Sequence, residues 1–164
     1  MGSLIRYFNS KEEFVKNITE DCDIYKLIDK SVKSNVIFAL FQHKEKGNKI
    51  IFIIKYSQNK DGKFTYSHFT EHSGPSLYDC PEKILKQSEQ STETSKKWVA
   101  KCREIREKKK NARKFAETLQ YGQKVTMENN EVVIVKESNV KETTFAGEDK
   151  NGELWLYSIF HIRQ

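Results

Sequence analysis

The sequence predicts an α+β protein: an antiparallel sheet flanked by helices, a long basic helix, and a small SH3-like β-barrel module at the C-terminus. Three observations predict it. Apolar, β-branched runs (VIFALFQ, IIFIIKY, FTYSHF) follow one another between Gly-containing turns, the pattern of an antiparallel meander. Trp98, Cys102, Ile105, Ala112, Ala116 and Leu119 recur at steps of three, four or seven, one apolar stripe of a single helix. The 45 residues that follow hold four or five short strand-like runs separated by turn residues, which suits a small barrel or curled sheet. The parts therefore divide as a sheet domain over 1–94, a connecting helix over 95–119 and a β module over 120–164.

Taken in order, Leu4 to Phe8 alternates weakly and reads as a short strand or a lead-in. Ser10 begins S-K-E-E, a capping box in which its hydroxyl accepts the Glu13 amide. Phe14, Val15 and Ile18 give the helix that follows one apolar face, ending near Asp21. Ile24–Val32 is a strand of mixed pattern. Val36–Gln42 is continuously apolar, as a strand buried on both faces would be. Turn material around Gly47-Asn48 leads to Ile50–Tyr56, and Asp61-Gly62 to alternating Phe64–Phe69. Strands this apolar need helices packed on them. Ser73-Gly74-Pro75 breaks the pattern. Asp79-Cys80-Pro81 starts a short helix with Pro81 at its first position, where no amide is needed, and Ile84 and Leu85 facing inward. SEQSTETS connects to the long helix, capped by Thr94 or Ser95. After Tyr121-Gly122, strands are expected at Lys124–Met127, Val132–Lys136, Thr143–Gly147 and Leu154–Ser158, with turns at Asn129-Asn130 and Asn151-Gly152.

Charge is distributed unevenly. Between Lys96 and Lys114 stand ten cations (Lys96, Lys97, Lys101, Arg103, Arg106, Lys108, Lys109, Lys110, Arg113, Lys114) against Glu104 and Glu107, ten minus two or +8. The rest of the chain holds 19 basic and 21 acidic residues, so this segment accounts for all of the formal net charge of +6. Ten cations over five turns repel one another, and two glutamates at i,i+4 spacing do not offset that. The bland reading is a solvated connecting helix whose Lys stems cover apolar surface. The functional reading is that the cationic face meets polyphosphate or an acidic protein, with affinity from counterion release and a steep salt dependence.

Other chemistry is excluded or weak. No run is long and apolar enough to span a membrane, and the N-terminal residues lack a secretory h-region. Cys22, Cys80 and Cys102 are odd in number and unpaired in spacing, which disfavours a disulfide framework or a four-ligand zinc site and implies a cytoplasmic chain with reduced thiols. No phosphate-cradling glycine motif occurs. His68-Phe69-Thr70-Glu71-His72 spells the inverted zinc-protease pattern. On a strand its histidines stand roughly 13 Å apart at ~3.3 Å per residue, too far to share one ion. Cys80 at a helix start is a candidate thiolate with His68 or His72 as base. Asp79 beside it opposes the thiolate, and Pro81 has no amide to offer an oxyanion. Neither metal nor cofactor is expected. No recognition-helix, zinc-finger or RNP signature occurs, so base-specific readout is not expected. Trp155, Tyr157, Phe160 and His161 are candidate aromatic contacts, half of them core.

Several motifs together carry a resemblance. Glu71–Pro75 (E-x-x-G-P), Cys80–Leu85 (C-P-x-x-I-L) and Trp98–Arg103 (W-x-x-x-C-R), followed by a basic helix and a small β module, resemble an uncharacterised domain family of phage, plasmid and other mobile-element proteins. The resemblance runs from about Val36 onward. It implies the same order of parts and a mobile-element setting, in which anti-defence or nucleic-acid roles are common, and it implies no reaction. At His68, His72 and Val99 the chain departs from the family pattern, so neither histidine gains a role from it. The expectation is a non-enzymatic binding protein that engages nucleic acid or a nucleoprotein complex, such as a defence nuclease, through the Lys96–Lys114 cations. Its rivals are an inhibitor docking on an acidic protein without nucleic acid, and a Cys/His-dependent enzyme.

Overall fold

A computed structural model describes residues 4–8, 10–20 and 22–163. The chain falls into two compact units, Met1–Glu104 and Ile105–Gln164, and helix α3 (Glu93–Thr118) contributes residues to both.

The first unit is an antiparallel five-stranded sheet in the order β1-β5-β4-β3-β2, formed by β1 (Leu4–Tyr7), β2 (Tyr25–Lys33), β3 (Val36–His43), β4 (Lys49–Gln58) and β5 (Lys63–Thr70). The expected meander is β2 to β5, and β1 returns to pair with β5. The turn before β5 is built by Asn59, whose Oδ1 accepts from the amides of Asp61 and Lys63 at 3.0 and 2.9 Å. β3 and β4 are apolar on both faces because both faces are covered. On one side α1 (Lys11–Ile18) inserts Phe14 among Ile37, Ala39, Ile54, Tyr56, Phe64 and Tyr66, its ring stacked on Phe64 at 4.4 Å. Ser10 caps α1 as expected, accepting the Glu13 amide at 3.1 Å. Its last helical residue is Ile18, and Asp21 lies outside the described residues.

On the other side Phe38, Leu40, Ile51 and Ile53 meet Cys80, Ile84 and Leu85 around α2 (Glu82–Leu85) and Trp98, Val99 and Cys102 of α3. Two termini differ from expectation. Pro81 is the N-cap of α2, with extended backbone, and not its first helical residue. α3 begins at Glu93, and the residue whose hydroxyl accepts a first-turn amide is Thr92, bonded by Ser95 N–H at 3.1 Å. The motif residues of the segment that precedes α2 are structural. Gly74 closes the 3-10 helix Glu71–Ser73 with φ +60, and a Cβ there would stand 2.9 Å from the Thr94 methyl, so this position needs glycine on both counts.

The second unit is an antiparallel four-stranded sheet, β6-β7-β8-β9, with β6 (Lys124–Thr126), β7 (Val132–Asn139), β8 (Thr144–Glu148) and β9 (Leu154–Ser158). Register shifts by one residue between Val135 and Glu137, a bulge that bends a strand. Its core joins Ala112 and Ala116 from the end of α3, and Leu119 just beyond it, to Val125, Met127, Val133, Val135, Phe145, Ile159 and Ile162. Beyond the 3-10 helix Ile159–His161, Ile162 bridges Met127, flanked by Glu128 N–H to His161 O and Arg163 N–H to Thr126 O at 2.7 and 2.8 Å. The sheet itself stays open at its β6 and β9 edges.

Candidate nucleic-acid interface

α3 has 26 residues, about 39 Å of helix at 1.5 Å per residue. The sequence predicts one apolar seam along it; the structure gives two short ones. Trp98, Val99 and Cys102 are buried in the first unit, and Ala112, Ala116 and Leu119 in the second. Between them, from Arg103 to Asn111, no residue is buried, and Ile105 is only half-buried. The expected seam steps by seven from Ile105 to Ala112, and the position that would continue it, four residues after Ile105, is Lys109. A cation there cannot enter an apolar core without a large desolvation cost, so the seam breaks.

Of the ten cations, eight are exposed and two, Arg106 and Lys109, are half-buried. In the first unit most are matched locally. Lys96 pairs with Glu93 at 2.7 Å, Lys101 with Glu104 at 2.9 Å, and Arg103 with Glu82 of α2 at 3.1 Å. The bond from Lys96 holds the Glu93 carboxyl below its ordinary range. Among the described residues Lys97 has no carboxylate within 4.0 Å. In the second unit Lys110 lies 3.7 Å from Glu107, and Arg113 and Lys114 have no carboxylate partner within 4.0 Å among the described residues. Exposed pairs of this kind are worth only a few tenths of a kcal/mol up to about 1, so they yield readily to a polyanion. The segment Arg106–Lys114 thus presents six cations around one helix, with a single glutamate among them.

The remaining sequence candidates do not assemble into a reaction centre. His68 is exposed on β5, its ring 6.5 Å from that of Phe52. His72 lies in the 3-10 helix, with Nδ1 3.2 Å from Thr92 Oγ1. Among the described residues no three His, Cys, Asp or Glu side chains are grouped to hold a metal. Cys80 is fully buried in the first core, out of reach of a substrate. Of the four aromatic candidates, Trp155 and Phe160 are exposed, Tyr157 is half-buried against Phe145, and His161 is exposed and bonded to Glu128 at 3.0 Å.

Sequence reasoning missed two features. Glu71 is fully buried, its Oε2 accepting from Ser88 Oγ at 3.0 Å. Burial, reinforced by the nearby Glu89 carboxylate and opposed by bonds from Ser88 and the Ile51 amide, pushes its pKa up to about 7. The second is a cleft of about 310 Å³ beside α1, floored by Tyr25, Phe41, Phe52, Ile54 and Tyr66. Among the described residues no Lys or Arg lines it, so it is not part of the basic surface. Compared with protein-family models, with curated proteins and with solved structures, the chain matches none.

Proposed function

We propose that this chain is a non-enzymatic binding protein of a phage or other mobile element, engaging nucleic acid or a nucleoprotein complex through the cations of α3. One observation carries the proposal: in a helix segment with no fully buried residue, most of the lysines and arginines stand exposed at the surface. Phosphate contact by such a face is strong, salt-dependent and indifferent to sequence. The burial of Cys80 argues against the enzymatic alternative. We also read the second unit as SH3-like, its four strands drawn towards closure by the Met127–Ile162 bridge.

The test is a charge-reversed variant, Lys108→Glu, Lys109→Glu, Lys110→Glu and Arg113→Glu, in binding assays with duplex and single-stranded DNA and RNA across a salt series. Lys108, Lys110 and Arg113 are exposed and Lys109 is half-buried, none of them part of a core, so the fold should persist. The wild type should bind with a steep negative salt slope. Loss of four phosphate contacts should flatten that slope by about 3 to 4 and abolish measurable binding at physiological salt. An unchanged slope in the variant would sink the proposal. The same cations suit an acidic protein surface, and a partner that survives nuclease treatment of a pull-down would assign them to protein instead.

A further inference from the structure

β9 ends the second sheet and reads Leu-Trp-Leu-Tyr-Ser. Leu154, Trp155 and Leu156 are 67, 55 and 74% exposed. An edge strand is normally defended by lysine, proline, a bulge or a covering segment. This strand has no charge and no proline, its pairing with β8 is regular, and among the described residues no strand pairs along its outer side.

The direction of its free backbone groups follows from its bonds to β8. Ile159 N–H reaches Thr143 O at 3.0 Å, and Glu153 O accepts from Asp149 N–H at 2.9 Å. In an antiparallel ladder successive residues alternate sides. Odd-numbered residues of β9 therefore bond to β8, while Leu154, Leu156 and Ser158 aim their N–H and C=O groups away from the sheet. That is a row of unpaired donors and acceptors on a strand of high β-propensity.

We infer that β9 pairs with β9 of a second copy of this chain, antiparallel and with the two-fold axis at Leu156, joining two four-stranded sheets into one of eight. The register is selected by the outward groups and by charge. With Leu156 opposite itself, Leu154 and Ser158 fall opposite one another as hydrogen-bonded pairs. Trp155 meets Tyr157 at the closer, non-hydrogen-bonded position, where aromatic pairs gain most. Glu153 falls opposite Ile159. No charged side chain then faces another, which lets identical strands approach without like-charge cost. Tyr157 is held beforehand by its hydroxyl to Glu131 at 3.3 Å and by its stacking on Phe145. Less side-chain freedom is therefore lost on pairing.

Sedimentation equilibrium of the full chain, freed of nucleic acid by nuclease and a high-salt wash, tests this apart from any nucleic-acid binding. The wild type should show a concentration-dependent monomer–dimer equilibrium. Leu156→Lys places two cations on the axis and should raise the dissociation constant about a hundredfold, as should Leu156→Glu. An equimolar mixture of the two variants should recover dimer, because only a two-fold axis at this residue brings the new charges face to face. Circular dichroism should match the wild type in both, since the altered side chain is mostly solvated. A wild type that stays monomeric into the millimolar range overturns the inference and leaves the edge to a strand of another protein. A mixture that stays monomeric overturns the register.

Discussion

β3 and β9 are both apolar runs, and the structure treats them in opposite ways. Ile37, Phe38, Ala39 and Leu40 of β3 are at most 1% exposed, because β3 lies inside a sheet with helices on both faces. Leu154, Trp155 and Leu156 of β9 stand more than half exposed at the end of a smaller sheet. Apolar composition reports a strand's appetite for partners; position in the sheet decides whether the same chain supplies them. The first unit consumes its apolar surface internally, in one core around Phe14 and another around Phe38 and Trp98. The second, whose described residues offer one α-helical segment and a single 3-10 turn, leaves part of its own uncovered.

The contrast can be broken or sharpened by stability measurements, starting where the effect is largest. Phe38→Ala removes a side chain buried among Leu40, Ile53 and Trp98 and should cost about 3–5 kcal/mol in denaturant unfolding. A loss below about 1 kcal/mol would mean that the first core is not the packed one. Next comes Glu71. Its carboxyl keeps a proton up to about pH 7 in the fold but gives it up near the ordinary value of 4.5 in the unfolded chain. Between those values the folded state holds more protons, so stability falls as pH rises through the window and is level above it. The total is about 3 kcal/mol, since each pH unit between the two values contributes about 1.4 kcal/mol. Glu71→Gln should flatten that dependence in urea melts at about pH 5 and pH 8, either side of most of the window. A profile that stays steep in the variant would relocate the titrating group. The smallest effect belongs to β9. Leu156→Ser, measured at protein concentrations low enough to keep the chain monomeric, should change unfolding free energy by no more than about 0.5 kcal/mol.

Most of the first sheet was legible because its information is local. Alternation in Phe64–Phe69, unbroken apolarity in Val36–Gln42 and the Asp61-Gly62 turn each report backbone geometry within a few residues. Leu154–Ser158 was equally readable as a strand, yet nothing in those five letters says that no neighbour covers them. The α3 seam was over-read for a similar reason. Periodicity joined Ile105 to Ala112 across a gap, and the cation at Lys109 was the available sign that the seam stops. Glu71 escaped because its burial is tertiary: Ser88 and the Ile51 strand enclose it, and the sequence places it between two histidines in a segment that looks polar. The ten cations of α3 were visible from composition alone; how they are paired, and where the helix is bare, required the fold.

The bare stretch from Arg103 to Asn111 has a dynamic consequence. An isolated helix frays from its ends, since terminal residues lack intrahelical bonds. α3 is clamped near both ends by core side chains, while its middle has its own backbone bonds and surface ion pairs such as Arg103 with Glu82 but no buried side chain, among cations that repel one another. Its amide-exchange profile should therefore be inverted, with protection highest around Trp98 and Ala116 and lowest between them. A bound polyanion would neutralise that repulsion and raise the central minimum, so the least protected turn of the helix is also the one that reports occupancy.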